Sequence, residues 1–96
     1  MGTKDQYSKM TPYTQKIKDG KIHRTFYPDV DADELKWHQD LNDRKVTIVE
    51  SGGWSFQMEN SLPSKLHSAE QIFIPKFAWH RVIKGNSELI VEIEEF

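Results

Sequence analysis

Ninety-six residues are enough for one hydrophobic core and too few for two. Apolar residues make up 36% of the chain and charged ones 29%, a balance that fits a globular domain with a polar surface and excludes a disordered segment. A formal charge of −2 with no basic block argues against nucleic acid as a main partner, because phosphate binding needs a clustered positive field. The first residues, MGTKDQYSK, have no apolar run of signal-peptide type. Gly2 invites a myristoylation reading, but Gln6 stands where that motif wants Ser or Thr. No later stretch approaches the ~18–20 apolar residues of a membrane span. The expectation is a cytoplasmic chain with no membrane partner. Without cysteine there is no disulfide framework and no thiolate ligand or nucleophile.

Residues 1–12 read as an N-terminal tail and residues 13–96 as a single domain. YTQKI and KIHRTFY flank Lys18-Asp19-Gly20, a hairpin signal because Asp-Gly tolerates the positive φ of a tight turn. PDVDADE then breaks the run. DADELKWH has room for one helical turn capped by Asp31 or Asp33. LKWHQDL and RKVTIVE follow, and in the latter Val46 and Ile48 alternate with Thr47 and Val49. The turn SGG leads into WSFQME, which alternates Trp54, Phe56 and Met58 against Ser55 and Gln57. After the NSLPS loop come EQIFIP, AWHRVIK and ELIVEIEE, the last two parted by GNS. No segment keeps apolar residues at helical spacing for ten residues or more. Short strands separated by turns predict an all-β sandwich or barrel.

Four features could carry chemistry. In WHQD, His38 and Asp40 share a face of any extended strand, and two such side chains can chelate one divalent cation. His80 is the candidate third ligand, completing a set of two histidines and one carboxylate with open positions. The rival reading makes His38 a strand-end histidine bonded to a backbone carbonyl and Asp40 a turn cap. Arg44 would either pair with Asp40 or wait for an anionic ligand, and its charge opposes a nearby dication. DVDADE imitates the start of a calcium loop, but Glu34 occupies the position where the sharp turn needs glycine, so a solvated acidic turn is expected. Of Trp37, Trp54, Phe56, Phe73, Phe77 and Trp79, most should fill the core, with one or two left for a cavity or dimer face. Trp54 and Gln57 join Arg44 as candidate ligand-binding residues.

The stretch from HQDLNDRKVTIVESGGW through LHSAEQIFIPKFAWHRVIKG resembles a small single-domain cupin of the RmlC-like jelly-roll type. Pro75 and His80 match the proline and metal-binding histidine of that family's second motif, with IFIP before them. Ala69 and Phe77 replace its two glycines, and Lys84 replaces its asparagine. In the first motif His38 matches the first histidine, Asp40 stands for the second and Gly52 closes the turn. Arg44 falls where the family carries a glutamate ligand. The resemblance implies a double-stranded β-helix preceded by an N-terminal β-hairpin. It also leaves His38, Asp40 and His80 as a three-ligand set, similar in type to the facial triad of iron oxygenases.

The resulting expectation is a pocket for Fe, Mn, Ni or Zn and a small polar or anionic ligand, with no organic cofactor indicated and no particular reaction selected. Enzyme or not is left open. The alternative is a metal-free cupin that binds a ligand or serves as an assembly module, with Asp40 and Arg44 neutralising each other. In either case a homodimer is expected through the hairpin of residues 13–27 or the aromatic outer face.

Overall fold

The computed structural model describes residues 12–96, so all of the expected tail except Pro12, and the Gly2 question with it, lies outside the described residues. β1 (Tyr13–Lys18) and β2 (Lys21–Phe26) form the hairpin expected around Asp19-Gly20. Those two residues take φ of 54° and 76°, the paired left-handed conformation of a two-residue turn whose twist suits its strands. β3 (Arg44–Glu50), β4 (Ser55–Met58), β5 (Ser64–Lys65), β6 (Gln71–Ile74), β7 (His80–Ile83) and β8 (Leu89–Glu95) follow.

The larger sheet runs β1-β2-β8-β3-β6 and the smaller β5-β4-β7, with every neighbouring pair antiparallel. The chain changes sheet after β3, β5, β6 and β7. This is the winding of a double-stranded β-helix, the all-β jelly roll expected. The hairpin was expected to be free to add to another sheet, but β2 pairs with β8 and extends the chain's own sheet. That leaves β1 as its edge.

Strand parity decides what each face carries. In β8, Leu89, Val91 and Ile93 are buried while Ile90, Glu92 and Glu94 point the other way. The outward acids meet lysines across the strands, Lys21 at 3.5 Å from Glu92 and Lys45 at 3.1 Å from Glu94. Such half-exposed pairs contribute less than ~1 kcal/mol each. Inside, Phe26, Ile48, Trp54, Leu66, Leu89 and Val91 pack into one core.

Two expectations need correction. LKWHQDL forms no strand: a 3₁₀ turn spans Ala32–Glu34, and beyond it only His38 bridges to a strand. Asp31 precedes that turn, but its side chain makes no capping bond. The aromatic residues are also less buried than expected. Of the six, Trp54 alone is fully enclosed, and its Nε1 donates to Ser87 O at 2.6 Å. Phe73 alternates with inward Ile72 and Ile74 and so faces out, while Phe77 and Trp79 sit in the exposed β6–β7 turn. Trp37 lies outside any strand, with the Arg81 guanidinium 4.8 Å from its ring centre. No helix among the described residues is long and apolar enough to cross a membrane.

Candidate functional site

His38 and His80 are joined through their backbones. Each amide donates to the other's carbonyl at 3.0 Å, which fixes the β2–β3 connection against the start of β7. Two residues on, Phe77 N donates to Asp40 O at 2.8 Å and Gln39 Nε2 donates to Phe77 O at 2.9 Å. The segment 38–40 is thus laced to the β6–β7 turn. His38 and Asp40 project to one side and Gln39 to the other, as extended backbone requires. Phe77 and Ala69, which stand where the resemblance puts glycines, keep positive φ of 67° and 73°. The turns have held their shape without the residue that suits them.

This lacing brings together the three predicted ligands. His80 Nε2 lies 3.2 Å from Asp40 Oδ2, and His38 Nε2 lies 3.9 Å from Asp40 Oδ1. One ligand atom from each residue falls within 4.8 Å of the others. The imidazoles are adjacent, with ring centroids 4.2 Å apart, rather than facing across the barrel mouth. Asp40 and His80 are buried, whereas His38 sits half exposed at the rim.

The tautomers follow from the outer contacts. His80 Nδ1 is 2.9 Å from Ala78 O and His38 Nδ1 is 3.3 Å from Lys36 O. A carbonyl only accepts, so each Nδ1 carries the proton and each neutral ring turns a lone pair at Nε2 toward Asp40. Asp40 Oδ2 is buried and has no hydrogen-bond partner among the described residues. With His80 neutral, its Nε2 lone pair faces the carboxylate oxygen at 3.2 Å; with His80 protonated, the same atoms form an ion pair. Burial pushes the His80 imidazole below its ordinary pKa, with His38 and Arg44 adding to the lowering, while the Ala78 carbonyl and the Asp40 carboxylate pull it partly back. A neutral ring of this tautomer, with its Nδ1 anchored, is the form a metal ion needs.

Arg44 stands beside this set. Its Nη1 is 3.2 Å from Asp40 Oδ1, while Nε and Nη2 both donate to Glu95 Oε2, at 2.9 and 2.7 Å. One cation is shared by two carboxylates. The site opens onto a cavity of about 340 Å³ between the sheets, walled by Val46, Phe56, Leu66, Ile72 and Val82. That volume is at the lower end of small-molecule sites.

Trp54 and Gln57, expected as ligand-binding residues, do not line this cavity. Trp54 belongs to the closed core. Gln57 has the opposite parity to the cavity-facing Phe56, and its Oε1 accepts from Arg81 Nε at 2.9 Å while its Nε2 donates to Ser61 O at 3.0 Å. Sequence reasoning missed Arg24, which lines the cavity and is only 9% exposed. Its signal was present: in KIHRTFY an arginine holds the same parity as Ile22 and Phe26.

Neither a protein-family model nor a curated protein sequence matches the chain. Solved structures do. A cupin domain from Bordetella pertussis aligns at 22% identity and a TM-score of 0.62, over 88% of this chain and 91% of its own. The DMSP lyase DddQ from Ruegeria pomeroyi aligns at 16% identity and TM-score 0.63, covering 85% of this chain and 45% of its own. HppE in its Fe(II) form with an alternative substrate aligns at 12% identity and TM-score 0.66, covering 88% and 48%. The chain spans less than half the length of these last two proteins. At such identities the likeness is one of fold, and the fold is that of the cupins.

Proposed function

We propose that this cupin-fold chain holds one divalent cation on His38 Nε2, Asp40 and His80 Nε2, and admits a small polar or anionic ligand to the cavity beside it. One observation carries the reading: the lone pair of His80 Nε2 and the orphaned Asp40 Oδ2, 3.2 Å apart, leave between them a place that only a cation or an added proton suits. Two imidazoles and a carboxylate suit Fe, Mn, Ni or Zn in the divalent state. A bound cation would supply Lewis acidity at positions the protein leaves open. The chain's own residues orient the two rings through Lys36 and Ala78, hold Asp40 beside Arg44 and line the cavity with apolar side chains. The reaction, if one is catalysed, is not assigned by these groups. HppE carries iron and substrate by its description, which supports the metal reading without transferring its chemistry.

The test is elemental analysis of protein purified without chelator, followed by calorimetric titration of each of the four cations into chelator-treated protein. The expected result is one site per chain, lost in His80→Ala. Absence of any cation from both experiments sinks the reading. The second reading, a metal-free ligand-binding or assembly module, is favoured by the Arg44–Asp40 pair, which offsets part of the carboxylate's charge. A homodimer through the exposed edge of β1 and a cytoplasmic setting belong to the proposal as further expectations, the first measurable by light scattering.

A further inference from the structure

Arg24 enters the cavity from the larger sheet, on β2, in line with Val91 of β8. An arginine residue that is only 9% exposed normally has a carboxylate partner, because an uncompensated buried charge is costly. Here it has none among the described residues. Nε donates to Gln15 Oε1 at 2.8 Å, and the Tyr13 ring lies 4.0 Å from the guanidinium carbon. Those two contacts fix the plane of the group and engage one edge of it. Nη1 and Nη2 donate to no described residue. Burial lowers the pKa of the guanidinium and Arg44 adds to the lowering, while Tyr13, Asp40 and Glu95 at longer range pull it partly back. Arg44 lines the same cavity but is already taken by Asp40 and Glu95.

Building on the cavity reading above, we propose that the ligand is a small monocarboxylic acid with an apolar body, its carboxylate held end-on by Arg24 Nη1 and Nη2. The paired N–H groups match the two oxygens of a carboxylate, and one guanidinium balances one negative charge. Val46, Phe56, Leu66, Ile72 and Val82 offer aliphatic and aromatic contacts and few hydrogen-bond partners, which selects an alkyl or aryl body over a sugar or polyol. Arg24 thereby takes the anion-recognition role expected of Arg44.

The experiment is calorimetric or NMR titration of the full chain with hexanoate, benzoate, hexanamide and benzamide, in chelator-treated protein and again with Mn(II) or Zn(II). The carboxylates should bind at least tenfold more tightly than the isosteric amides, with or without metal. Arg24→Lys, which keeps the charge and loses the fork, should weaken carboxylates tenfold or more and leave the amides within about twofold. Arg24→Gln should abolish the acid–amide difference, and its thermal melt checks that it folds. Equal binding of acid and amide, no binding of either acid, or carboxylate affinity untouched in Arg24→Lys overturns the assignment. The cation titration is a separate readout. If the chain binds no cation yet discriminates acid from amide, the metal reading fails and this one stands. If a carboxylate binds only the metal-loaded chain and Arg24→Lys does not affect it, the reverse holds.

Discussion

Gly85, in the turn between β7 and β8, has an ordinary backbone conformation, yet it has no room for a side chain. A Cβ there would approach Gly53 C to 2.5 Å and Trp54 Cδ1 to 2.6 Å, and would also press on Gly52 O. None of these is the free end of a flexible side chain. The loop carrying Gly85 must therefore move away from the 51–53 turn in Gly85→Ala. Overpacking of this kind costs about 1–3 kcal/mol. The displacement also pulls Ser87 O from Trp54 Nε1, now bonded at 2.6 Å, and stranding that buried N–H adds about 1–3 kcal/mol. A total of about 2–6 kcal/mol is a large share of the ~5–15 kcal/mol available to a small domain. At roughly 4–8 °C per kcal/mol, Tm should fall by at least about 8 °C. Circular dichroism and tryptophan fluorescence melts measure it. Gly20→Ala is the control, since its new methyl meets nothing within 4 Å and is opposed only by φ of +76°. Its cost should stay near ~1 kcal/mol. A Gly85→Ala Tm within 3 °C of wild type, or no lower than that of Gly20→Ala, would refute the steric argument.

Calorimetry should find that His80→Ala lowers cation affinity at least tenfold, because it removes a buried ligand whose ring is already oriented. Arg44→Glu should raise cation affinity by supplying a further carboxylate beside Asp40 and Glu95, while lowering the chelator-treated protein's Tm, since three acids then crowd together. His80 has a folded-state pKa below its unfolded value near ~6.5, so the stability it supports is full above that pH. As pH falls through the folded value the unfolded chain takes the proton first and stability is lost; urea midpoints of chelator-treated protein should drop from pH 7.5 to 5, less steeply in His80→Gln. Ala69→Gly should hold or raise Tm by a few degrees, because relief of a left-handed alanine at φ 73° offsets the added freedom of the unfolded chain.

Local rules made much of this legible. ELIVEIEE was legible as a strand, and Asp19-Gly20 announced its hairpin. The i, i+2 parity of His38 and Asp40 survives even though the segment is no strand, because any extended backbone preserves it. What escaped was set by pairing between distant residues. Arg44 meets Glu95 because β3 and β8 lie in register, a relation no window of sequence contains. Gln57 could be read as a pocket residue or as an outward-facing strand glutamine, and only its place opposite Arg81 across β4 and β7 tells the two apart. Trp54 is sealed by Ser87, 33 residues on. Arg24 was readable in parity alone, but its lack of a carboxylate partner among the described residues depends on what other strands bring to the cavity.

The bridge between His38 and His80 has a kinetic side. The connection from Tyr27 to Asp43 forms one wall of the cavity rim yet belongs to no strand, and near the rim only a few backbone bonds hold it. Swinging it outward would break the two His38–His80 bonds, the Phe77–Asp40 bond and the side-chain contacts Gln39–Phe77, Arg44–Asp40 and Lys84–Val30, but would leave the β3–β8 pairing intact. Such a segment opens well below the free energy of global unfolding. Hydrogen exchange at the His38 and His80 amides would thus clock how often the rim parts, and with it the fastest rate at which a molecule could enter or leave.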